Sequence, residues 1–221
     1  MVALSGFTNT TVGTNTIEAG PGLTWYNMNV ALEPYGRIVV GGRMKTIGIA
    51  GLTLGGGMSY FNAKYGFAMD NVIAYEVVLA TGAIVTASAS SNSDLFWALK
   101  GGGNNYGIIT KFTYATYSAP SISTTIQAFA QSEVPEFIGA IADLALYQDQ
   151  VDTGAGGIFI ILFDQTENSY TGTFLGVQIG DVEKPAVFNN FTALPSEYAI
   201  YNITTLAQWS STLDTPYQTS R

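Results

Sequence analysis

The sequence predicts an α+β fold in which strands and short helices alternate irregularly. β-branched runs such as 72–80 (VIAYEVVLA) and 108–114 (IITKFTY) read as strands, and short helical segments separate them at unequal spacing. This order does not match the regular βαβ series of a parallel sheet. With 221 residues, 47% of them hydrophobic, the chain is long enough for one large or two small domains.

The first half of the chain divides into short elements at glycine, proline and asparagine positions. A helix is expected at 23–32 because Trp25, Met28 and Leu32 fall on one face at helical spacing. Thr81-Gly82 is typical of a hairpin turn between two strands. In order, we expect a strand at 16–18, a helix at 23–32, a strand at 37–40, a helix at 58–65, strands at 72–80 and 83–87, a helix at 95–100 and a strand at 108–114.

The pattern changes near Pro120, and we predict a domain boundary there. The residues after it favour a strand at 122–129, an amphipathic helix at 134–147, strands at 156–162 and 174–179, and helical stretches at 198–213. The predicted domains are therefore residues 1–119 and residues 120–221.

Composition excludes several classes of function. The net charge of −8 argues against binding to a nucleic-acid backbone, and no apolar run approaches the roughly 18 residues of a membrane span. The chain has no cysteine and no histidine. Disulfides, cysteine nucleophiles, a Ser-His-Asp triad and zinc sites with cysteine or histidine ligands are therefore absent from this chain, and no metal site is expected.

The segment 39–57 (VVGGRMKTIGIAGLTLGGG) is unusually rich in glycine. Such density indicates either a run of tight turns against a sheet or a main chain that must approach a ligand closely. The segment matches neither a Walker loop nor the G-x-G-x-x-G dinucleotide fingerprint. It holds only two charged side chains, Arg43 and Lys45, so a phosphate-bearing ligand would depend on main-chain amides. The helix expected at 58–65 would direct its N-terminus from these glycines towards an anion.

Three segments together resemble a known family. They are VGGRMKTIGIAGLTLGGG (40–57), KYGFAMDNVIAYEVVLATG (64–82) and DLFWALKGGGNNYGIIT (94–110). Their order and spacing resemble the second half of the FAD-binding domain of vanillyl-alcohol-oxidase-type flavoproteins, also called the PCMH type. The berberine-bridge-enzyme-like branch is the most similar. The resemblance implies that residues 1–119 form the second subdomain of that FAD-binding domain, and that residues 120–221 begin an α+β substrate domain.

The resemblance also implies a cofactor, FAD, lying extended between this subdomain and a first subdomain that precedes residue 1. Main-chain amides at Gly48, Gly51, Gly55 and Gly56 would come within hydrogen-bonding distance of it. The cofactor-binding residues implied are Lys45, Thr46, Ile47, Gly48, Ile49, Gly51, Gly55, Gly56, Ser59, Gly107 and Ile109. Among them, Ile49 and Ile109 would line the cofactor. Doubly attached relatives carry cysteine where this sequence has Met44, so a cysteinyl flavin link is excluded.

Several other polar residues are candidates for a role at the site. Tyr60, Tyr65 and Tyr106 lie close to the glycine clusters, but structural roles are the default in a chain with 13 tyrosines. Asp70 is expected to cap a turn, and Asp94 to lie in the first turn of a helix. No catalytic residue is assigned.

The function implied is that of an FAD-dependent oxidoreductase. It would oxidise an alcohol, amine or sugar-like small molecule by hydride transfer to flavin, with oxygen or a quinone-like acceptor reoxidising the cofactor. One alternative is an inactive FAD- or nucleotide-binding fragment. Another is a secreted glycan-binding or structural domain, which the sequons at Asn9, Asn190 and Asn202 permit. We expect a secreted glycoprotein, although the chain itself shows no signal peptide.

Overall fold

The computed structural model describes residues 3–213, which form two compact units. Within these residues, the first unit comprises 3–59, 65–120 and 206–213, and the second comprises 60–64 and 121–205. The fold is a mixture of helices and antiparallel strands, as an α+β class requires. The assignment of residues 1–119 to cofactor binding and residues 120–221 to substrate binding stays a prediction.

The first unit is built on a five-stranded antiparallel sheet with the strand order β1-β2-β6-β4-β5. The strands of this sheet are β1 (Thr10–Val12), β2 (Thr16–Ala19), β4 (Val72–Val78), β5 (Ile84–Ser88) and β6 (Ile108–Ala115). A separate two-stranded ladder joins β3 (Arg37–Ile38) to β7 (Tyr117–Ser118). The helices of this unit are α1 (Trp25–Leu32), α2 (Ile49–Leu54), α4 (Ser93–Leu99) and α7 (Leu206–Thr212), with 3-10 turns at Glu33–Tyr35 and Ala68–Asn71.

One face of the five-stranded sheet carries the core of the first unit. Trp25, Tyr75, Phe112 and Tyr114 are all buried there, with ring centres 5.5 to 5.8 Å apart in the contacting pairs. Alternate residues of each strand point to this face, which is the periodicity of a strand with one buried side. Burying each of these large side chains contributes roughly 1.5–3 kcal/mol.

Gly41 and Gly42 lie flat against the Trp25 ring. A Cβ atom at Gly41 would lie 2.0 Å from a ring carbon of Trp25, and one at Gly42 would lie 2.3 Å away. Both positions therefore require glycine because of a structural contact. Packing against Trp25 therefore explains two of the glycines in the segment 39–57.

The second unit is built on a four-stranded antiparallel sheet with the order β11-β8-β10-β9. The strands are β8 (Ile122–Phe129), β9 (Ala155–Asp164), β10 (Ser169–Ile179) and β11 (Tyr198–Thr204). The helices are α5 (Val134–Val151), α6 (Asn189–Thr192) and the short α3 (Asn62–Tyr65), whose last residue belongs to the first unit; 3-10 turns lie at Gln131–Glu133 and Ala186–Phe188.

The core of the second unit is dominated by phenylalanine. Phe174 stacks on Phe191 at a centroid distance of 4.2 Å, and Phe129 stacks on Phe137 at 4.7 Å. Strand β10 makes room for these rings with glycine, since a Cβ at Gly176 would lie 2.5 Å from the Phe174 ring. Such offset aromatic pairs add about 0.5–1.5 kcal/mol beyond their buried area.

Two predicted elements differ from the structure, and one helix was not predicted. The helix expected at 58–65 is the single turn α3, and a helix that was not predicted, α2, precedes the triple glycine at 55–57. The predicted helical stretch at 198–213 divides into strand β11 and helix α7. The glycines of 48–57 favour turns in isolation, and the β-branched residues of 198–204 fit the free edge of strand β8.

Candidate functional site

A cavity of about 550 Å³ opens in the first unit between the two glycine-rich segments. The cavity is lined by Leu4, Ala50, Gly51, Leu54, Gly55, Gly103, Asn104, Gly107, Ile108 and Ile109. Helix α2 supplies one wall, and the segment from Gly103 to the start of β6 supplies the other. Two of the three segments that carry the sequence resemblance, 40–57 and 94–110, are therefore brought together at one site.

Helix α2 has one buried face and one glycine face. Ile49, Thr53 and Leu54 are buried, whereas Gly51 and Gly55 are exposed and line the cavity. Residues four apart lie on the same side of a helix, so these two glycines form one strip without side chains. A Cβ atom at Gly51 would meet no atom of the chain within 4 Å. The absence of a side chain at Gly51 is therefore not required by packing within the chain.

Main-chain hydrogen bonds to the start of α1 hold the entry to α2. The amide of Trp25 donates to the carbonyl oxygen of Ile47 at 3.0 Å, and the amide of Ile49 donates to that of Leu23 at 3.0 Å. Helix α1 begins at this point, where Thr24 and Asn27 form a capping box. These bonds fix the position at which α2 begins.

The amides of Gly55 and Gly56 are used within the chain. Gly55 donates to the carbonyl oxygen of Leu52 at 3.2 Å, and Gly56 donates to that of Thr53 at 3.1 Å. Helix termination thus engages both amides within the chain, and their role in cofactor binding stays a prediction. The contribution of Gly55 at the cavity is the space left by its missing side chain.

The second glycine segment ends helix α4 and is joined to α2. The amide of Gly103 donates to the carbonyl oxygen of Leu54 at 2.9 Å. Gly102 must be glycine, since a Cβ there would lie 2.1 Å from the carbonyl oxygen of Ala98. The side chain of Asn105 donates to the carbonyl oxygen of Gly102 at 2.7 Å and closes the loop.

The predicted cofactor-binding residues separate into two groups. Those that line the cavity are Gly51, Gly55, Gly107 and Ile109, and those outside its lining are Lys45, Thr46, Ile47, Gly48, Ile49, Gly56 and Ser59. Ile49 is fully buried in the core of the first unit, and its expected place beside the cofactor stays a prediction. Apolar packing explains its burial, since the side of α2 that carries Ile49 faces the sheet.

Lys45 lies among side chains of the first unit and not in the cavity lining. Its ammonium nitrogen is 5.4 Å from the centre of the Tyr26 ring, within the range of a cation–π contact. Its amide donates to the carbonyl oxygen of Leu213 at 3.2 Å. Ile47, two residues on, has a partly exposed side chain.

Sequence reasoning did not assign six of the residues that line the cavity. They are Leu4, Ala50, Leu54, Gly103, Asn104 and Ile108. Asn104 is the polar side chain among them and could have been suspected from its place inside the second glycine cluster. Leu4 lies about fifty residues before the glycine strip formed by Gly51 and Gly55, and no local sequence pattern connects it to the cavity.

Two of the candidate polar residues, Asp70 and Tyr65, have structural roles. The carboxylate of Asp70 accepts a hydrogen bond of 2.9 Å from the amide of Phe67, which confirms the predicted turn cap. Tyr65 stacks on Tyr117 at 3.9 Å, and the Tyr117 hydroxyl donates to the Asn71 side-chain oxygen at 2.6 Å. Burial raises the pKa of Tyr117, so its hydroxyl stays protonated as a donor.

The lining of the cavity is uncharged. None of the described residues around it is acidic or basic, and residues 3–213 contain no cluster of side chains suited to holding a metal ion. In the same range, no helix combines the length and the apolar character needed to cross a membrane. The site suits a flat, uncharged group with a few polar edges better than a phosphate.

Residues 1–88 match the FAD binding domain family. The chain is 37% identical over 188 residues to the FAD-dependent monooxygenase prx3 of Penicillium roqueforti, an alignment covering 85% of this chain and 37% of that protein. The chain thus spans well under half the length of this relative.

Solved structures share the fold. The vanillyl-alcohol-oxidase-type flavoprotein MtVAO615 of Myceliophthora thermophila superposes with a TM-score of 0.80 at 24% identity, over 97% of this chain and 42% of that one. The xylooligosaccharide oxidase of the same organism, solved with xylobiose, gives a TM-score of 0.76 at 23% identity, over 97% of this chain and 46% of that one. Family match, relative and fold agree with the residues quoted from the sequence. Residues 1–88 are therefore assigned to the FAD binding domain family, and the chain has the fold of vanillyl-alcohol-oxidase-type flavoproteins.

Proposed function

We propose that the cavity beside α2 holds an uncharged ring of FAD in an FAD-dependent oxidoreductase. The observation that carries this is the glycine strip of α2, where Gly51 faces open space and packing within the chain does not require glycine. Helix interiors lose about 0.5–1 kcal/mol by carrying glycine in place of alanine. Close approach of a ligand to the main chain would explain why glycine stands at position 51 despite this cost.

The residues present fit such a ring. FAD contains flat heteroaromatic rings joined through a charged pyrophosphate, and the cavity offers apolar side walls with no basic side chain. A volume of about 550 Å³ lies in the range of small-molecule sites. Leu54, Ile108 and Ile109 would pack against the faces and edges of a ring, and the Asn104 amide would hydrogen-bond to its polar edge.

FAD supplies the chemistry of hydride acceptance when it is bound. The residues of this chain supply position and the exclusion of water. Leu4, Leu54 and Ile108 place apolar surface around the glycine strip, which lowers the local dielectric around whatever binds there. The lining contains no titratable side chain, so proton transfer is not assigned to this cavity.

The proposed reaction is oxidation of an alcohol, amine or sugar-like small molecule, with oxygen or a quinone-like compound as electron acceptor. The fold shared with a xylooligosaccharide oxidase supports a sugar-like substrate within that range. We also propose a secreted glycoprotein, because the sequon residues Asn9, Asn190 and Asn202 all have exposed side chains.

A second candidate function is FAD binding without turnover, which the absence of a titratable side chain in the described cavity lining favours. Reduction of a dye acceptor by the flavin-loaded protein with a panel of alcohols and sugars separates these two.

Two glycines in helices provide a matched test of the site. Gly51 and Gly139 are both exposed on helices, and a Cβ at either meets no atom within 4 Å. We expect Gly51→Leu to weaken FAD binding by about tenfold or more, since the side chain fills the cavity, a change of roughly 1.4 kcal/mol. Gly139→Leu, on α5, should leave binding unchanged. Flavin fluorescence titration measures both, and FAD binding by Gly51→Leu at the unsubstituted level would contradict the proposal.

A lysine variant separates a main-chain site from a basic-residue site. Lys45 lies outside the cavity lining and contacts Tyr26. We expect Lys45→Met to change FAD affinity by no more than about twofold, since the attraction between exposed charges is small. A loss of FAD in this variant with full retention in Gly51→Leu would show that the lysine, and not the glycine strip, holds the cofactor.

A further inference from the structure

A pair of buried hydroxyl groups lies beneath the glycine strip. The Thr53 side-chain oxygen of α2 is 2.8 Å from the Tyr114 hydroxyl oxygen of β6, and both residues are fully buried. The bond joins residues 61 positions apart in the sequence. Burial raises the pKa of Tyr114 well above its ordinary value, so the hydroxyl remains protonated and able to donate.

The geometry of a helix connects this bond to the cavity. Successive residues are turned by about 100° around the axis, so residues two apart lie about 200° apart, on nearly opposite sides. Thr53 is two residues after Gly51 and two before Gly55. A contact that holds Thr53 against the sheet therefore directs Gly51 and Gly55 away from the sheet and towards the cavity.

The other contacts of α2 are main-chain bonds at its two ends, at Ile49 and at Leu54, and apolar contacts on its buried face. Ile49 and Leu54 pack against the core, but apolar contact has no preferred direction. The bond from Gly103 to Leu54 fixes the C-terminal end of the helix along its axis. The hydroxyl pair is a directional side-chain contact on the buried face of the helix, between its two anchored ends.

The same core shows that a buried tyrosine hydroxyl need not be paired for this fold to form. Tyr75 is also fully buried, and its hydroxyl has no hydrogen-bond partner among residues 3–213. Burial by itself therefore does not account for the partner that Tyr114 finds on α2. A role in setting the orientation of that helix does.

We propose that Thr53 and Tyr114 are positioning residues for cofactor binding, whose hydrogen bond sets the rotation of α2 and so presents the glycine strip to FAD. This inference rests on the proposed function, because it assigns a cause to the cavity described there. Neither residue touches the cavity, and each acts through the main chain of α2.

Affinity for FAD gives the first test. Thr53→Val keeps the shape and removes the hydroxyl, Thr53→Ser keeps the hydroxyl, and Tyr114→Phe removes the other partner. We expect the valine and phenylalanine variants to weaken FAD binding about fivefold or more, the fold-change that corresponds to one net hydrogen bond. The double variant Thr53→Val/Tyr114→Phe should bind FAD no more weakly than Tyr114→Phe alone. The FAD affinity of Thr53→Ser should lie within about twofold of that of the unsubstituted chain.

Two controls separate positioning from stability. Tyr75→Phe removes a buried hydroxyl from the same core and should leave FAD affinity unchanged. Phe112→Leu destabilises the same core without touching the pair, so affinity measured well below its melting temperature should also be unchanged. If Thr53→Val and Tyr114→Phe bind FAD as tightly as Tyr75→Phe, the inference is wrong while the proposed FAD site stands.

A second readout needs no cofactor. The chain has no cysteine, so a single thiol introduced by Gly51→Cys reports the exposure of that position. We expect its rate of labelling by a soluble maleimide to fall when Thr53→Val or Tyr114→Phe is added, and to be preserved with Thr53→Ser. Unchanged labelling in all three backgrounds would overturn the inference whatever the FAD titrations show. Failure of the unsubstituted chain to bind FAD would contradict the proposed function alone.

Discussion

The amide of Gly103 donates a hydrogen bond of 2.9 Å to the carbonyl oxygen of Leu54, joining the loop after α4 to the end of α2. The two glycine-rich segments lie about fifty residues apart, and this bond makes them walls of one cavity. Leu54 is one of the last residues of its helix, where carbonyl groups lack intrahelical partners. The second segment thus completes the helix and the cavity through the same contact.

We expect Gly102→Ala to disturb this junction. Its Cβ would lie 2.1 Å from the carbonyl oxygen of Ala98 and 2.6 Å from the Tyr106 ring, so the loop must shift. The cost is expected to be about 1–3 kcal/mol of unfolding free energy, as for other overpacked sites. Urea unfolding measures it, together with a weaker affinity for FAD. Gly139→Ala is the control and should be neutral or stabilising; equal stability of both variants would contradict the contact.

The partly exposed Ile47 provides a test of oxygen access. Ile47 lies outside the cavity lining, but the family resemblance implies a position beside the flavin, where smaller valine is associated with oxygen entry. Its carbonyl oxygen accepts from the Trp25 amide, so Ile47→Val keeps the main-chain position while removing one methylene. In the flavin-loaded protein we expect faster flavin reoxidation by oxygen and nearly unchanged reduction by substrate. Stopped-flow measurement of both half-reactions decides it, and equal reoxidation rates would make Ile47 a packing residue only.

Alkaline pH should destabilise the first unit through its buried tyrosines. Burial raises the pKa values of Tyr75 and Tyr114 above the ordinary value of 10.0. Between the unfolded and folded pKa values the folded chain holds more protons, so stability falls as pH rises. The contribution of each tyrosine should be level between neutral pH and about pH 9, and above about pH 11 it should approach a decrease of about 1.4 kcal/mol of unfolding free energy per pH unit.

Urea unfolding between neutral and alkaline pH tests this dependence. Tyr75→Phe should reduce the decrease of unfolding free energy with pH above about pH 10 by the contribution of about one titrating proton. Phe112→Leu is the matched control, because it lowers stability at every pH without removing an ionisable group. An equal slope in Tyr75→Phe and the unsubstituted chain would show that burial does not control this titration.

Local patterns in the sequence predicted much of the fold. The spacing of Trp25, Met28 and Leu32 predicted the buried face of α1, and all three are buried. The β-branched run at 72–80 predicted β4, and Thr81-Gly82 predicted the turn into β5. These features succeed because alternation and helical spacing record which side of an element is buried.

Local patterns failed where tertiary contacts outweigh local preference. The glycines of 48–57 favour turns, yet hydrogen bonds from α1 and from Gly103 hold residues 49–54 as a helix. The edge strand β11 was predicted as helix because its partner β8 lies seventy residues earlier. Propensities of a few tenths of a kcal/mol per residue cannot resist such pairing.

Composition and residue order limit the chemistry available to this chain: it has glycine clusters in a set order, few charges, and neither cysteine nor histidine. These features predict the family resemblance and the FAD cofactor. Only the tertiary structure decided that Gly51 faces the cavity while Ile49 faces the core, and that the amides of Gly55 and Gly56 are already used. The orientation of a six-residue helix depends on a bond such as Thr53 to Tyr114, between residues 61 positions apart. Such a contact leaves no periodic signal in the chain, because periodicity records burial and not partners.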